Sequence, residues 1–256
     1  MLKNFTKTIL NIIRGKYSAN LSDYYDKKYP PTKFFRKPVK YPLIHCILAG
    51  YPRSGTNWIM NVVEKSTGLQ TGNLIKRKPG PNDKEVILLK VHSRSKRIAR
   101  SKALWLLPRH NFLGKYIYTY RDPRDSIISL FEMYKNRKGF QDVTLEQFLQ
   151  LYDPVGQYQW EIKKWVIPQH KDVLLVKFEN LKSNPISEYN RIFNHLDFDK
   201  SCLKIELINQ KVNLASTSTP RPRATAQGWK NLPSGYQKAI DQISSTLDKE
   251  IKFLGY

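Results

Sequence analysis

The chain has 256 residues, and its 44 Lys and Arg against 21 Asp and Glu leave a formal net charge of +23. That length suits one large domain able to bury a sizeable core. Cys46 and Cys202 are the only cysteines, no Cys/His cluster has metal-ligand spacing, and no apolar run reaches the ~20 residues that cross a bilayer. A disulfide scaffold, a structural metal site and a membrane-spanning helix are therefore excluded as readings.

Residues 1–40 are a polar lead-in that contains aromatics and prolines. The opening MLKNFTKTILNIIRGKY spreads lysines through its apolar residues and has no small-residue cleavage site, so it lacks the usual form of a signal peptide. It sets Leu2, Phe5, Ile9, Ile12 and Ile13 near one helical face, with Lys3, Lys7 and Arg14 outside. Contact of residues 1–17 with a membrane surface is one reading of that pattern, and packing on its own domain is the commoner one. Residues 41–256 are expected to form the main domain.

An apolar strand is predicted near 43–50, followed by AGYPRSGTNW at 49–58 and then a helix. A strand, a glycine-bounded loop and a helix N-terminus together make an anion cradle, because backbone N–H groups and the helix dipole point at one place. Gly50 and Gly55 have the spacing of a nucleotide-triphosphate loop, yet Thr56-Asn57 stands where Lys and then Ser or Thr belong. The lysine for the β/γ-phosphates and the hydroxyl for magnesium are both missing. Arg53 sits inside the loop instead, and Trp58 follows on the helix.

A second strand is expected at 86–91, within EVILLKVH, ending in Lys90-x-His92. A third covers 116–120 and runs into Arg121-Asp-Pro, with Asp122 as N-cap and Pro123 at the first helical position. Arg121 then lies at the carboxyl end of a strand, and Ser129 about two turns into the helix. Residues 131–165 are expected to be mainly helical and to wall an acceptor pocket. A fourth strand is predicted at 173–178, with Phe178-Glu179 closing it, and ISEYNRIFNHL and residues 233–254 are read as later helices. Alternating strands and helices imply one α/β domain: a P-loop-containing, mostly parallel sheet with helices on both faces.

Tyr51-Pro-Arg-Ser-Gly-Thr-Asn-Trp58 resembles the 5′-phosphosulfate loop of the soluble sulfotransferases, Tyr-Pro-Lys-Ser-Gly-Thr-Thr-Trp, with Arg53 for lysine and Asn57 for threonine. Arg121 and Ser129 stand eight apart, as do the family's Arg and Ser that grip the 3′-phosphate of 3′-phosphoadenosine 5′-phosphosulfate (PAPS). Lys90-x-His92 is similar to the family's Lys-Thr-His, although Ser93-Arg94-Ser95 replaces the usual Leu-Pro that follows. PRPRATAQGWK at 220–230 resembles the family loop that closes over the 3′-phosphate. Arg223, Trp229 and Lys230 align there, while its two glycines fall on Ala224 and Gln227. Phe178-Glu179 stands for a family Tyr-Glu whose tyrosine touches adenine.

The resemblance implies a PAPS-dependent sulfotransferase that moves a sulfuryl group to an acceptor hydroxyl, or less often an amine. It implies a donor site of Arg53, Ser54, Gly55, Thr56, Asn57, Trp58, Arg121, Ser129, Phe178, Arg223 and Lys230. His92 is the implied general base, Arg53 and Lys90 the implied charge stabilisers, and no metal is required. The implied acceptor is a small molecule, glycan or lipid, with no specific nucleic acid, and the expected home is the reducing cytoplasm. Two other readings stay open: a kinase-like ATP-dependent phosphotransferase, and a non-catalytic basic protein on nucleic acid or membrane.

Overall fold

The computed structural model describes residues 43–73, 85–90, 112–135, 140–209 and 227–256. In chain order they form β1 (Leu43–Gly50), α1 (Thr56–Thr67), β2 (Thr71–Asn73), β3 (Glu85–Lys90), β4 (Phe112–Tyr120) and α2 (Pro123–Lys135). Next come α3 (Leu145–Tyr152), α4 (Pro154–Trp165), β5 (Val173–Lys177), α5 (Phe178–Ser183) and α6 (Pro185–His195). The remaining α-helices are α7 (Ile205–Asn209), α8 (Gln237–Thr246) and α9 (Asp248–Phe253), with short 3₁₀ turns at Lys200–Cys202, Gly228–Asn231 and Ser234–Tyr236.

The strands make one sheet in the order β2-β3-β1-β4-β5, and every pairing is parallel. β1 lies at its centre, which is why LIHCILAG is an almost unbroken apolar run: a central parallel strand is covered on both faces. On one face Cys46, Leu48, Leu88, Ile117 and Val176 join a core with Ile59, Val62 and Val63 of α1 and Tyr189, Ile192 and Phe193 of α6. On the other, Tyr118 of β4 stacks on Trp165 of α4 at 5.6 Å between centroids, and its hydroxyl donates to Glu161 at 2.8 Å. Cys46 is fully buried, as a small apolar residue would be.

Three boundaries differ from expectation. β2, a three-residue edge strand of sequence TGN, was not foreseen, because Gly and Asn are poor strand formers. β4 begins at Phe112 rather than 116, and its register with β1 shifts between Ile44 and Cys46. Two residues of β4, 113 and 114, there oppose one of β1, and Gly114 takes a left-handed φ of 81° in the bulge. Phe178 opens α5 instead of closing β5. α3 and α4 meet at Asp153, whose φ of 44° ends one helix while its carboxylate accepts from the Gly156 N–H of the next at 3.0 Å.

Candidate active site

The site is built where β1, β4 and β5 end. Gly50 pairs with Thr119, Thr119 with Val176, and Tyr120 with Lys177. The loops leaving the three strands therefore emerge side by side. β1 lies between strands reached in opposite directions, β3 on one side and β4 on the other, and that reversal point is where open α/β sheets hold ligands.

The first loop turns on Arg53 and Gly55, whose φ values are 76° and 95°. Gly55 caps α1, and a Cβ on it would meet the Phe178 ring at 2.8 Å. The first amide to donate within the helix is that of Trp58, to the Gly55 carbonyl at 2.9 Å. The amides of Gly55, Thr56 and Asn57 precede it, where a helix offers N–H groups to an anion. Ser54 supports this loop from beneath. Its hydroxyl lies 2.6 Å from the Tyr51 carbonyl and 2.7 Å from Thr119 Oγ1, and its N–H donates to that same carbonyl at 3.2 Å. The expected phosphate-binding run thus has Ser54 facing inward. The Asn57 side-chain oxygen accepts from Lys90 Nζ, and Lys90 is buried at the end of β3.

The second loop carries Arg121, which is only 3% exposed. Its guanidinium lies 4.7 Å from the centroid of the Phe178 ring, contacts Asp125 Oδ2 at 3.2 Å, and donates to the Arg53 carbonyl at 3.5 Å. In return, Arg53 Nε donates to Ser129 Oγ of α2 at 2.9 Å. Arg53, Arg121 and Ser129 are therefore one connected group, although their loops lie more than 60 residues apart in sequence. The Arg121 carbonyl accepts from the Tyr158 hydroxyl, whose pKa burial pushes well above its ordinary value, so it stays a donor. Asp122 caps α2 as expected, accepting from the Arg124 N–H at 2.9 Å.

The third junction brings Phe178 and Glu179. Trp58 meets Phe178 edge-on at 6.5 Å and Tyr189 at 6.3 Å, so it borders the core as well as the loop. Glu179 accepts from the Asp122 N–H at 3.3 Å and from the Tyr256 hydroxyl at 2.6 Å, tying β4, β5 and the last helical region together. Trp229 donates from its backbone to Asp125 Oδ1 at 3.0 Å and from its indole to Asp122 Oδ2 at 3.2 Å. Lys230 is exposed, with its ammonium 5.6 Å from the Trp229 ring. Gln227 holds a left-handed φ of 56° at a position where the resembling loop has glycine. His92, Arg223 and the segment 1–17 lie outside the described residues.

Sequence reasoning missed Thr119, Asp125, Tyr158 and Glu179 as supports of the site. Asp125 left a signal, an acid one helical turn after Arg121, and Glu179 stands in the Phe178-Glu179 pair, whereas Thr119 and Tyr158 left none.

A model of the sulfotransferase domain matches residues 43–235. The chain belongs to the sulfotransferase family. Among curated members, rat sulfotransferase 2A6 is 26% identical over 179 residues, and rat sulfotransferase 1A1 is 27% identical over 172. Each alignment covers 59% of this chain, which spans 58% of either relative's length. Among solved family structures, mouse sulfotransferase SULT7A1 complexed with PAP superposes with a TM-score of 0.53 at 16% identity, covering 82% of this chain and 87% of that one. Retinol dehydratase, in complex with androsterone and inactive cofactor PAP, gives 0.54 at 16%, covering 85% of each chain. At that identity they establish the family fold, a parallel sheet flanked by helices. No described helix is long and apolar enough to cross a membrane.

Proposed function

We propose that the chain transfers a sulfuryl group from PAPS to an acceptor hydroxyl, with an amine as the less favoured acceptor. One observation carries the reading: Arg53, Arg121 and Ser129 form one hydrogen-bonded group at the mouths of β1 and β4. The cradle fits an anion. Its glycines bring the loop against Thr119 and Phe178, where a Cβ at Gly50 or Gly55 would collide.

In this reading the amides of Gly55, Thr56 and Asn57 hold the 5′-phosphate at the positive end of α1. Arg121 and Ser129 take the 3′-phosphate, an anion that ATP lacks and that a guanidinium fork suits. Trp58 and Phe178 present ring area to the purine. Arg223 and Lys230 are assigned to the same phosphate from the C-terminal segment. Lys90, turned toward α1 by Asn57, and Arg53 offset charge that develops where sulfur leaves the phosphate oxygen. His92 accepts the acceptor's proton, which needs a neutral imidazole near neutral pH. The reaction then rests on positioning and charge stabilisation more than on covalent chemistry.

Calorimetry with adenosine 3′,5′-bisphosphate, ADP and ATP tests the donor. The bisphosphate is expected to bind tightest, and a preference for ATP would restore the phosphotransferase reading. Arg121→Ala is expected to weaken the bisphosphate about tenfold to hundredfold more than adenosine 5′-phosphate. Equal losses would remove the 3′-phosphate assignment. His92→Ala should keep donor binding and lose most turnover, and near-full activity would strike it out as the base.

A further inference from the structure

Asp125 stands at a junction that the donor assignment does not use. It lies in the first turn of α2 and is 4% exposed, beside Arg121 at 3% and Asp122 at 1%. Its two oxygens have different partners: Oδ2 meets Arg121 Nη2 at 3.2 Å, and Oδ1 accepts the backbone N–H of Trp229 at 3.0 Å. Asp122 repeats the arrangement one step earlier. It pairs with Arg124 at 2.7 Å and accepts the Trp229 indole N–H at 3.2 Å, while the Arg124 guanidinium covers that indole at 4.2 Å. Two acids and two arginines thus form a charge-balanced group around one tryptophan.

We propose that Asp125 is a positioning residue for the donor: it fixes the guanidinium of Arg121 and fastens the Gly228–Asn231 turn to the same helix, so that the 3′-phosphate grip and the C-terminal segment act as one unit. The inference rests on the donor assignment above. Its physical basis is geometric. The ion pair with Asp125 at 3.2 Å and the N–H donated to the Arg53 carbonyl at 3.5 Å hold the guanidinium beside the Phe178 ring. Without that carboxylate the buried arginine loses its paired charge, and a rigid fork gains most from being held.

A carboxylate that merely competed with the incoming phosphate would have the opposite effect, since its removal would strengthen the bisphosphate. Asp125→Asn separates the two, because it keeps the side-chain volume and an oxygen for the Trp229 N–H while removing the charge from Arg121. The readout is the ratio of dissociation constants for adenosine 5′-phosphate and adenosine 3′,5′-bisphosphate, measured by calorimetry on the full chain. The ratio in Asp125→Asn is expected to fall about tenfold or more, with the 5′-phosphate constant nearly unchanged. A purely structural role would lower the melting temperature and weaken both ligands together.

Asp125→Glu keeps the charge but displaces the carboxylate from both Arg121 and the Trp229 N–H, so it serves even if the asparagine variant fails to fold. Its ratio is expected to fall about threefold or more. An unchanged or increased ratio in Asp125→Asn or, where only that variant folds, in Asp125→Glu would overturn the proposal while leaving the donor assignment standing. A wild-type protein with no preference for the bisphosphate would take both down.

Discussion

A Cβ placed on Gly50 would fall 2.1 Å from Thr119 Oγ1 and 2.7 Å from both Ser54 Oγ and the Thr119 carbonyl oxygen. Thr119 Oγ1 and Ser54 Oγ are already bonded to each other at 2.7 Å, and both residues are fully buried, so neither side chain can move aside freely. The backbone oxygen cannot yield without separating β1 from β4. Gly50→Ala is therefore expected to cost about 1–3 kcal/mol, as overpacking of a closed site does. Urea unfolding measures the loss, and phosphate binding should weaken with it because the loop begins at this residue. A cost below about 0.5 kcal/mol would mean the two strands can part here without consequence. The spacing of Gly50 and Gly55 was legible in the sequence. Thr119, which makes Gly50 obligatory, was not, since a threonine inside a β-branched and aromatic strand looks like any other strand former.

At the scale of the elements, long apolar runs and cap residues declared themselves, and short or bulged pieces did not. β1, β3, β5 and the Asp122-Pro123 start of α2 were readable because burial on two faces and a proline at the first helical turn leave strong marks. β2 and the first residues of β4 left none, because pairing with β3 and a bulge at Gly114 are properties of neighbours. The same held for the way α6 meets the sheet. His195, the last residue of α6, places Nε2 2.9 Å from the Tyr116 carbonyl of β4. Burial lowers its pKa below the ordinary 6.5. The bond to the Tyr116 carbonyl, Asp197 and Asp172 pull the pKa upward, while Lys115 pushes it further down. A depressed folded pKa means that the unfolded chain binds the proton first as pH falls. The contribution is thus present above 6.5 and is lost as pH drops through the lower folded value. His195→Gln, which retains an N–H for the carbonyl, is expected to flatten that part of the stability–pH curve. Parallel curves for wild type and variant from pH 7 downward would show that the imidazole does not titrate into the interface.

For the molecule as a whole, the net charge of +23 and the buried grip of Arg121 should act on different parts of ligand binding. The charge was plain in the sequence but pointed equally to nucleotide, nucleic acid and lipid. The proposed donor site favours the first through the placement of Arg53, Arg121 and Ser129 in one group, and that grouping depends on strand order, which no single motif states. A field summed over a whole surface steers anions toward the protein and is screened by salt. A contact made inside the site is screened far less. Raising the salt from ~0.1 M to ~1 M shortens the screening length from about 10 Å to about 3 Å. Association of adenosine 3′,5′-bisphosphate is therefore expected to slow by about tenfold or more, while its dissociation rate changes little. The bisphosphate carries more charge than adenosine 5′-phosphate, so its association should slow more, yet the ratio of the two dissociation rates should hold. Stopped-flow measurements with both ligands at each salt concentration separate these quantities. A dissociation rate for the bisphosphate that climbs with salt as steeply as association falls would place its 3′-phosphate on screened surface lysines rather than on Arg121.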